Sequence, residues 1–517
     1  MNDLPEKTQD RLCQDRAGGL MDELASGGRH RREPHRTWPA ATWIGALPSV
    51  MKPFALPAAT IVASVLLAAS WANDAGTAPA LASAPVPDSG MLAPHAGNPL
   101  LPGYFADPSI IRYDGEWFLF ATIDPWGGDT LGLWRSRDLR NWTFATPNWP
   151  TKAVATSPTS NASKVWAPSV VRGRGGRFWM YVSVGSEVWV GVAGHPAGPW
   201  RDANGGKPLI PGNFRPGFHM IDAEAFIDDD GQAYLYWGSG LKWVNGHCFV
   251  VKLKPDMVSF DGAPRDVTPA HYFEAPFMVK RNGRYFLTYS WGNTTTDTYQ
   301  IRYAVGLSPM GPFDEPADAP ILATDRTRDV ISPGHHAVFR IGDKDFILYH
   351  RQSLPFVQGG PLLRQVAIDR LGIIGDRIAT VVPTSRSPAV PGAAAMRPRG
   401  LRAALTASGA ADPDHAAMRA GDDNYATSWR SGPGAAWLKA DFGRVRRIRG
   451  VAVRPGFPAA MLRLGLQASV DGRHWRAIAP DRELSGSPIA LPVAGRARFV
   501  RLVLPRGGEI FEWSFSE

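Results

Sequence analysis

The sequence predicts an all-β protein, a five-bladed β-propeller followed by a second β module. Three observations predict it: a hairpin-like motif that recurs five times, a composition weighted toward Trp, Gly and Pro, and a change of texture after residue 400. Among 517 residues there are 19 Trp, 54 Gly and 46 Pro, a mix that favours turn-rich β structure with aromatic surfaces. A chain of this length is expected to hold several domains, each burying its own core.

Residues 1–50 read as an N-terminal extension or as sequence ahead of a true start at Met51, because residues 51–72 have the anatomy of a secretory signal. Met51-Lys52 leads into an apolar run from Phe54 to Leu67, and Ser70-Trp71-Ala72 follows as a small-x-small cleavage pattern. The run is shorter than a membrane-spanning helix needs and no Cys follows to take a lipid. A secreted protein, extracellular or periplasmic and without a stable membrane anchor, is therefore expected. Residues 73–97 form an Ala/Pro linker.

The two cysteines, Cys13 and Cys248, exclude a disulfide framework and disfavour a thiolate metal site. Cys248 reads as a small core residue. The formal charge is +9, and residues 401–517 hold 17 Arg plus Lys against 11 Asp plus Glu, a net +6. That excess suits a soluble surface or an acidic polymer. No dense basic stripe with interleaved aromatics runs along the sequence, so nucleic acid is not an expected partner. No protein partner is expected either.

The repeats span residues 98–382. "DPSIIRYDGEWFLFAT" begins at Asp107, "APSVVRGRGGRFWMYVS" at Ala167, "DAEAFIDDDGQAYLYWG" at Asp222, "EAPFMVKRNGRYFLTYS" at Glu274 and "HHAVFRIGDKDFILYHR" at His335. Each is an apolar run, a polar turn containing Gly and a second apolar or aromatic run, the signature of an antiparallel hairpin. Further strand-like segments lie between the copies, which makes about four strands per unit. Starts 60, 55, 52 and 61 residues apart fit propeller blades, and none of the repeats shows the 3.6-residue period of a helical solenoid.

In a propeller the first strand of each blade lines the central axis, so equivalent first residues converge there. Those residues are Asp107, Ala167, Asp222, Glu274 and His335. Gathering three carboxylates at one register position costs repulsion that a strand start does not require. Two carboxyls flanking a bond, one protonated and one ionised, are what glycoside hydrolysis needs. A third nearby can raise the acid's pKa, and a neutral imidazole can help hold a cation or its water.

These motifs resemble glycoside hydrolase family 43, the five-bladed propeller glycosidases; the likeness runs from about Asn98 to Leu371. The resemblance implies Asp107 as general base, Glu274 as general acid and Asp222 as the residue that tunes and orients the acid. It also implies inversion at the anomeric carbon, with His335 contacting an axial structural calcium directly or through water. Trp166 fits the aromatic residue lining the sugar pocket, with Phe105, Phe226, Trp291 and His336 as weaker substrate-binding candidates. Where the family has a Pro after the tuning Asp, this chain has Ala223 and then Glu224, so either Asp222 or Glu224 could meet the acid. Sucrose- and fructan-acting propellers are the nearest rival, but their Asn-Asp-Pro and Glu-Cys-Pro settings are Ala106-Asp107-Pro108 and Glu274-Ala275-Pro276 here.

After a linker at residues 383–400, residues 401–517 resemble a discoidin-like (coagulation factor type C) jelly-roll sandwich, as in carbohydrate-binding module family 32. Asp422-Asp423-Asn424 to Trp429 matches its loop, which could hold a structural calcium, and Asp471-Gly472 is a hairpin turn. The expected activity is removal of α-L-arabinofuranosyl or β-D-xylosyl residues from plant cell-wall polysaccharide. An endo-acting arabinanase, a galactosidase and a non-catalytic glycan-binding propeller are the alternatives.

Overall fold

The computed structural model describes residues 97–161, 164–385 and 401–517. The extension at 1–50, the signal at 51–72, the 73–97 linker save residue 97, and most of the 383–400 linker lie outside the described residues. Among the described residues, no helix is long and apolar enough to cross a membrane.

The repeats are five antiparallel blades. Blade one is β1 (Phe105–Tyr113), β2 (Glu116–Ile123), β3 (Gly132–Ser136) and β4 (Thr143–Ala145). Blade two is β5 (Val165–Arg172), β6 (Phe178–Val184), β7 (Glu187–Ala193) and β8 (Arg201–Asp202). Blade three is β9 (Glu224–Ile227), β10 (Ala233–Trp237), β11 (Phe249–Leu253) and β12 (Arg265–Asp266). Blade four is β13 (Glu274–Arg281), β14 (Arg284–Trp291) and β15 (Gln300–Gly306), and blade five is β16 (Gly334–Ile341), β17 (Lys344–Gln352) and β18 (Arg364–Leu371), followed by a short hairpin of β19 (Ile373–Ile374) and β20 (Arg377–Ile378). Four strands per unit thus hold in three blades. Beyond β15, pairing is reduced to the bridges Ile301 to Leu322 and Val305 to Asp314.

The inner hairpins form because their turns carry the right chemistry. Asp114-Gly115 and Asn282-Gly283 have φ of 48° and 73°, and 52° and 71°, the paired positive values of a two-residue turn whose twist matches the strands. Each pair of adjacent blades shares an apolar core, for example Phe118, Trp149, Phe178 and Trp189 between blades one and two. Cys248 lies in the core between blades three and four, as expected. Blade five is closed by the segment ahead of β1: Leu100 N–H donates to Val366 O at 2.7 Å, and the Asn98 amide exchanges two 2.9 Å bonds with the Ile368 backbone.

One position per blade adopts a left-handed backbone: Asp107, Ala167, Asp222, Ala275 and His335, with φ between 39° and 59°. In the four blades where that position lies within the inner strand, the register shifts there. The fourth repeat is therefore set one residue later than the sequence spacing placed it. Ala275, not Glu274, is the equivalent of Asp107, and Pro276 matches Pro108 and Pro168. Glu274 shares its register with Ala106, Trp166, Ile221 and Gly334. Two consecutive residues are thus drawn toward the axis at the shift, which lets Glu274 contribute from the earlier one.

The left-handed residues lace neighbouring blades together. Ala167 N–H donates to Thr122 Oγ1 at 2.8 Å, Asp222 N–H to Ser183 Oγ at 3.0 Å, His335 N–H to Ser290 Oγ at 2.9 Å and Asp107 N–H to His350 Nδ1 at 3.3 Å. Each acceptor lies near the end of the second strand of the preceding blade. Blade three has Gly238 there, which offers no side chain, and the Ala275 N–H instead bonds the Asp222 carboxyl.

The C-terminal module is β21 (Ala404–Ala407), β22 (Trp429–Arg430), β23 (Ala436–Pro455), β24 (Leu462–Ser469), β25 (Arg476–Leu484), β26 (Ile489–Leu504) and β27 (Glu509–Ser516), all antiparallel. The long strands β23 and β26 pair throughout and shift register after Asp441 and Ile448, folding the sheet over a core that includes Trp429, Leu438, Leu466, Val500 and Trp513. The module docks on the propeller through Tyr104, whose hydroxyl donates to Glu509 at 2.8 Å and whose ring packs on Phe457 and Phe511. Gln365 adds a 2.7 Å bond to the Tyr425 carbonyl.

Candidate active site

Asp107 is the third residue of β1 and is 4% exposed. Its Oδ1 receives Arg364 Nη1 at 3.1 Å and lies 3.2 Å from His335 Nδ1 and 3.1 Å from His350 Nδ1; its Oδ2 accepts from Thr122 at 2.6 Å. Arg364 is itself clamped by buried Asp124 through Nε at 3.0 Å and Nη2 at 2.7 Å. Burial alone would raise the Asp107 carboxyl, but the Arg364 guanidinium holds it well below the usual carboxylate range.

Among the described residues, no cation lies at ion-pair distance from Glu274. Tyr299 donates to Oε1 at 2.6 Å and Ser239 to Oε2 at 2.9 Å. Burial outweighs these two hydroxyls, with Asp107 adding repulsion, and pushes its pKa up to about 7. Asp222 lies 3.5 Å from His335 Nδ1. Burial, then the charges of Glu274 and Asp107, raise it well above the ordinary value. Three carboxyls therefore meet in one water-poor site with opposed proton affinities, so Asp222 and Glu274 titrate as a pair.

Of the two acids left open by the sequence, Asp222 faces Glu274. Glu224 instead accepts from Ser169 at 2.7 Å between blades two and three, where burial pushes it up to about 8. Trp166 shares the register of Glu274, and its indole donates to Gly185 O at 2.9 Å. The weaker aromatic candidates make other contacts. Phe105 is buried against Trp134 and Phe144 in the core of blade one. Phe226 packs among Tyr234 and Tyr285 between blades three and four. Trp291 bonds Asn245 at 3.2 Å and lies edge-on to His271. His336 is buried beside Thr288 at 2.7 Å, neutral because burial pushes it down to about 3.

Sequence reasoning missed Arg364, His350, Tyr299 and Ser239, and also a pair of rim tryptophans. Trp126 and Trp243 approach with ring centroids 6.3 Å apart; Arg364 lies 5.8 Å from the Trp126 ring, and Trp243 stacks on Phe273, the neighbour of Glu274. Both are held at positive φ, 55° and 60°, a conformation bulky residues rarely adopt. For the interblade acceptors a signal was present: the repeats pair Thr122, Ser183, Ser290 and His350 with the position just before each left-handed residue.

His335 suits a metal or water ligand chemically: burial keeps its imidazole neutral, and among the described residues its Nε2 has no hydrogen-bond partner. No group of three or more His, Cys, Asp or Glu among the described residues is arranged to hold an ion. In the sandwich loop, Asp422 accepts from Thr427 at 2.8 Å, and on β27 Glu512 Oε2 is buried with no hydrogen-bond partner among the described residues.

Residues 96–376 match the family described as Glycosyl hydrolases family 43, and residues 404–515 match the F5/8 type C domain. A β-D-galactofuranosidase of Aspergillus niger is 35% identical over 50% of this chain and 76% of its own length. An arabinoxylan arabinofuranohydrolase of Bacillus subtilis is 29% identical over 52% of this chain and 60% of its own. A solved structure called a glycoside hydrolase, 26% identical, superimposes with a TM-score of 0.69 over 82% of this chain and 99% of that one.

Proposed function

The chain belongs to glycosyl hydrolase family 43, and from that premise we propose an inverting, exo-acting glycosidase that removes α-L-arabinofuranosyl or β-D-xylosyl units from plant cell-wall polysaccharide. The observation that carries the reading is the opposed displacement of two carboxyls in one site. Asp107 is held ionised by Arg364, while Glu274 keeps its proton near neutrality. Asp107 takes a proton from water as the water oxygen attacks the anomeric carbon. The glycosidic bond breaks, and Glu274 gives its proton to the leaving oxygen. Asp222, coupled to Glu274, helps keep that proton in place. Trp166 offers an apolar wall to the sugar, and the Trp126–Trp243 pair narrows the rim, which favours attack at chain ends. Export follows from the signal-like residues 51–72.

A calcium ion held by His335 and water would supply a fixed positive charge on the axis; metal analysis before and after chelation checks its presence. A second reading, release of β-D-galactofuranosyl units, is favoured by the name of the Aspergillus niger relative, which is more alike than the arabinofuranohydrolase. Aryl α-L-arabinofuranoside, β-D-xyloside and β-D-galactofuranoside, each with Asp107→Ala and Glu274→Ala as blanks, decide between them. Activity surviving both substitutions removes the assignment.

A further inference from the structure

The basic stripe absent from the linear sequence is assembled by the fold of the C-terminal sandwich. Along β23 and β26, Leu438, Ala440, Val500 and Leu502 face the core, so alternation turns Trp437, Lys439, Asp441, Phe499 and Arg501 outward. Lys439 pairs with Arg501 across the two strands, and Arg501 with Gln467 on β24. Trp475, from the turn after β24, completes the surface.

The contacts interleave cations with rings. Lys439 Nζ lies 5.7 Å from the Trp437 ring centroid and 5.8 Å from that of Phe499. Arg498 sits 4.8 Å over Phe499, and Arg501 sits 4.3 Å over Trp475. The three rings are half-buried, held in place yet open on one side. Arg498 is neutralised by Asp441 at 2.9 and 3.1 Å, but Arg501 bonds only the neutral Gln467 amide oxygen at 2.9 Å. Among the described residues, neither Lys439 nor Arg501 has a carboxylate at ion-pair distance. The nearby Asp471 is occupied by Ser469, the Arg473 and His474 amides and the His474 ring.

We propose that this face of the sandwich, Trp437–Lys439–Phe499–Arg501–Trp475, is a binding platform for an acidic, uronate-bearing polysaccharide. The rings offer flat apolar surfaces to sugar C–H faces, while Lys439 and Arg501 meet carboxylates along the chain. The net +6 of residues 401–517 supplies long-range attraction of the same sign. The choice of a glycan over other polyanions rests on the glycan-acting reading of the propeller, but binding is read without turnover, so the two fail separately.

The test is retention of the full chain in native gels containing polygalacturonate, neutral arabinan or no polymer, at low and raised salt. Polygalacturonate should retard the protein, less so at raised salt. The Lys439→Ala/Arg501→Ala variant should bind on the order of tenfold more weakly, as expected for two half-buried charge contacts, with Lys439→Arg restoring most of the retardation to a Lys439→Ala single variant. An unchanged thermal unfolding profile of the same variants shows that they fold. Equal retardation of wild type and double variant, no retardation at low salt, or retardation by double-stranded DNA as strong as by polygalacturonate would each overturn the proposal.

Discussion

Tyr299 donates its hydroxyl to Glu274 Oε1 at 2.6 Å, and its ring lies parallel to the His350 imidazole, centroids 5.7 Å apart. The hydrogen bond favours the ionised carboxyl and so opposes the burial that raises Glu274. Tyr299→Phe keeps the ring and deletes the donor. The acid should then hold its proton more tightly, and the alkaline limb of kcat/KM should move up by about 0.7 pH unit for a bond of ~1 kcal/mol. A downward or absent shift counts against the role given to this pair.

Gly334 makes room for that ring. A Cβ at residue 334 would fall 1.9 Å from the Tyr299 ring edge, and the ring is not at the end of a flexible chain. Gly334→Ala should therefore dislodge Tyr299, lowering kcat more than KM rises and costing a few kcal/mol of stability. Steady-state kinetics with thermal unfolding check it; an unaltered kcat shows that the ring can yield.

Arg364 acts on the opposite limb. It is the strongest influence lowering Asp107 against burial, so weakening it lets the carboxyl rise. Arg364→Lys loses the two-pronged hold on Asp124. The acidic limb of the rate profile should move to higher pH and activity should fall. A profile with an unmoved acidic limb would separate Asp107 from the titration it reports.

Glu274 also links stability to pH. Its folded pKa of about 7 exceeds the ordinary 4.5, so its contribution is fully present below pH 4.5 and is lost as pH rises through 7. Glu274→Gln removes that titration. The variant should melt above the wild type at pH 8, by up to about 3 kcal/mol, with the gap shrinking as pH falls toward 5. Calorimetry across that range measures it, and a gap independent of pH contradicts it.

Much of this arrangement was legible because the repeat carries it. Five hairpins with their turn residues, and the carboxyls at Asp107 and Asp222, follow from one register. The same register failed by one residue at blade four, where Glu274 was matched to Asp107 although Pro276 aligns with Pro108. Arg364 and Tyr299 belong to third strands or the turns before them, outside the quoted repeat. Arg364 reaches Asp107 across 257 residues of sequence, a closeness created by ring closure and by nothing local. The sandwich face was invisible for the same reason, since Lys439, Arg501 and Trp475 become neighbours only when β23, β26 and the turn after β24 assemble.

The Asp107 N–H bonded to His350, like the Asn98 clasp on Ile368, stands where the first blade meets the last. Among the described residues no covalent link guards that seam, so a warming ring is expected to fray there before its other joints. Asp107, the proposed general base, is thus through its backbone also a rivet of the circle. Turnover becomes a gauge of annular integrity, fading while most of the far-ultraviolet circular dichroism survives.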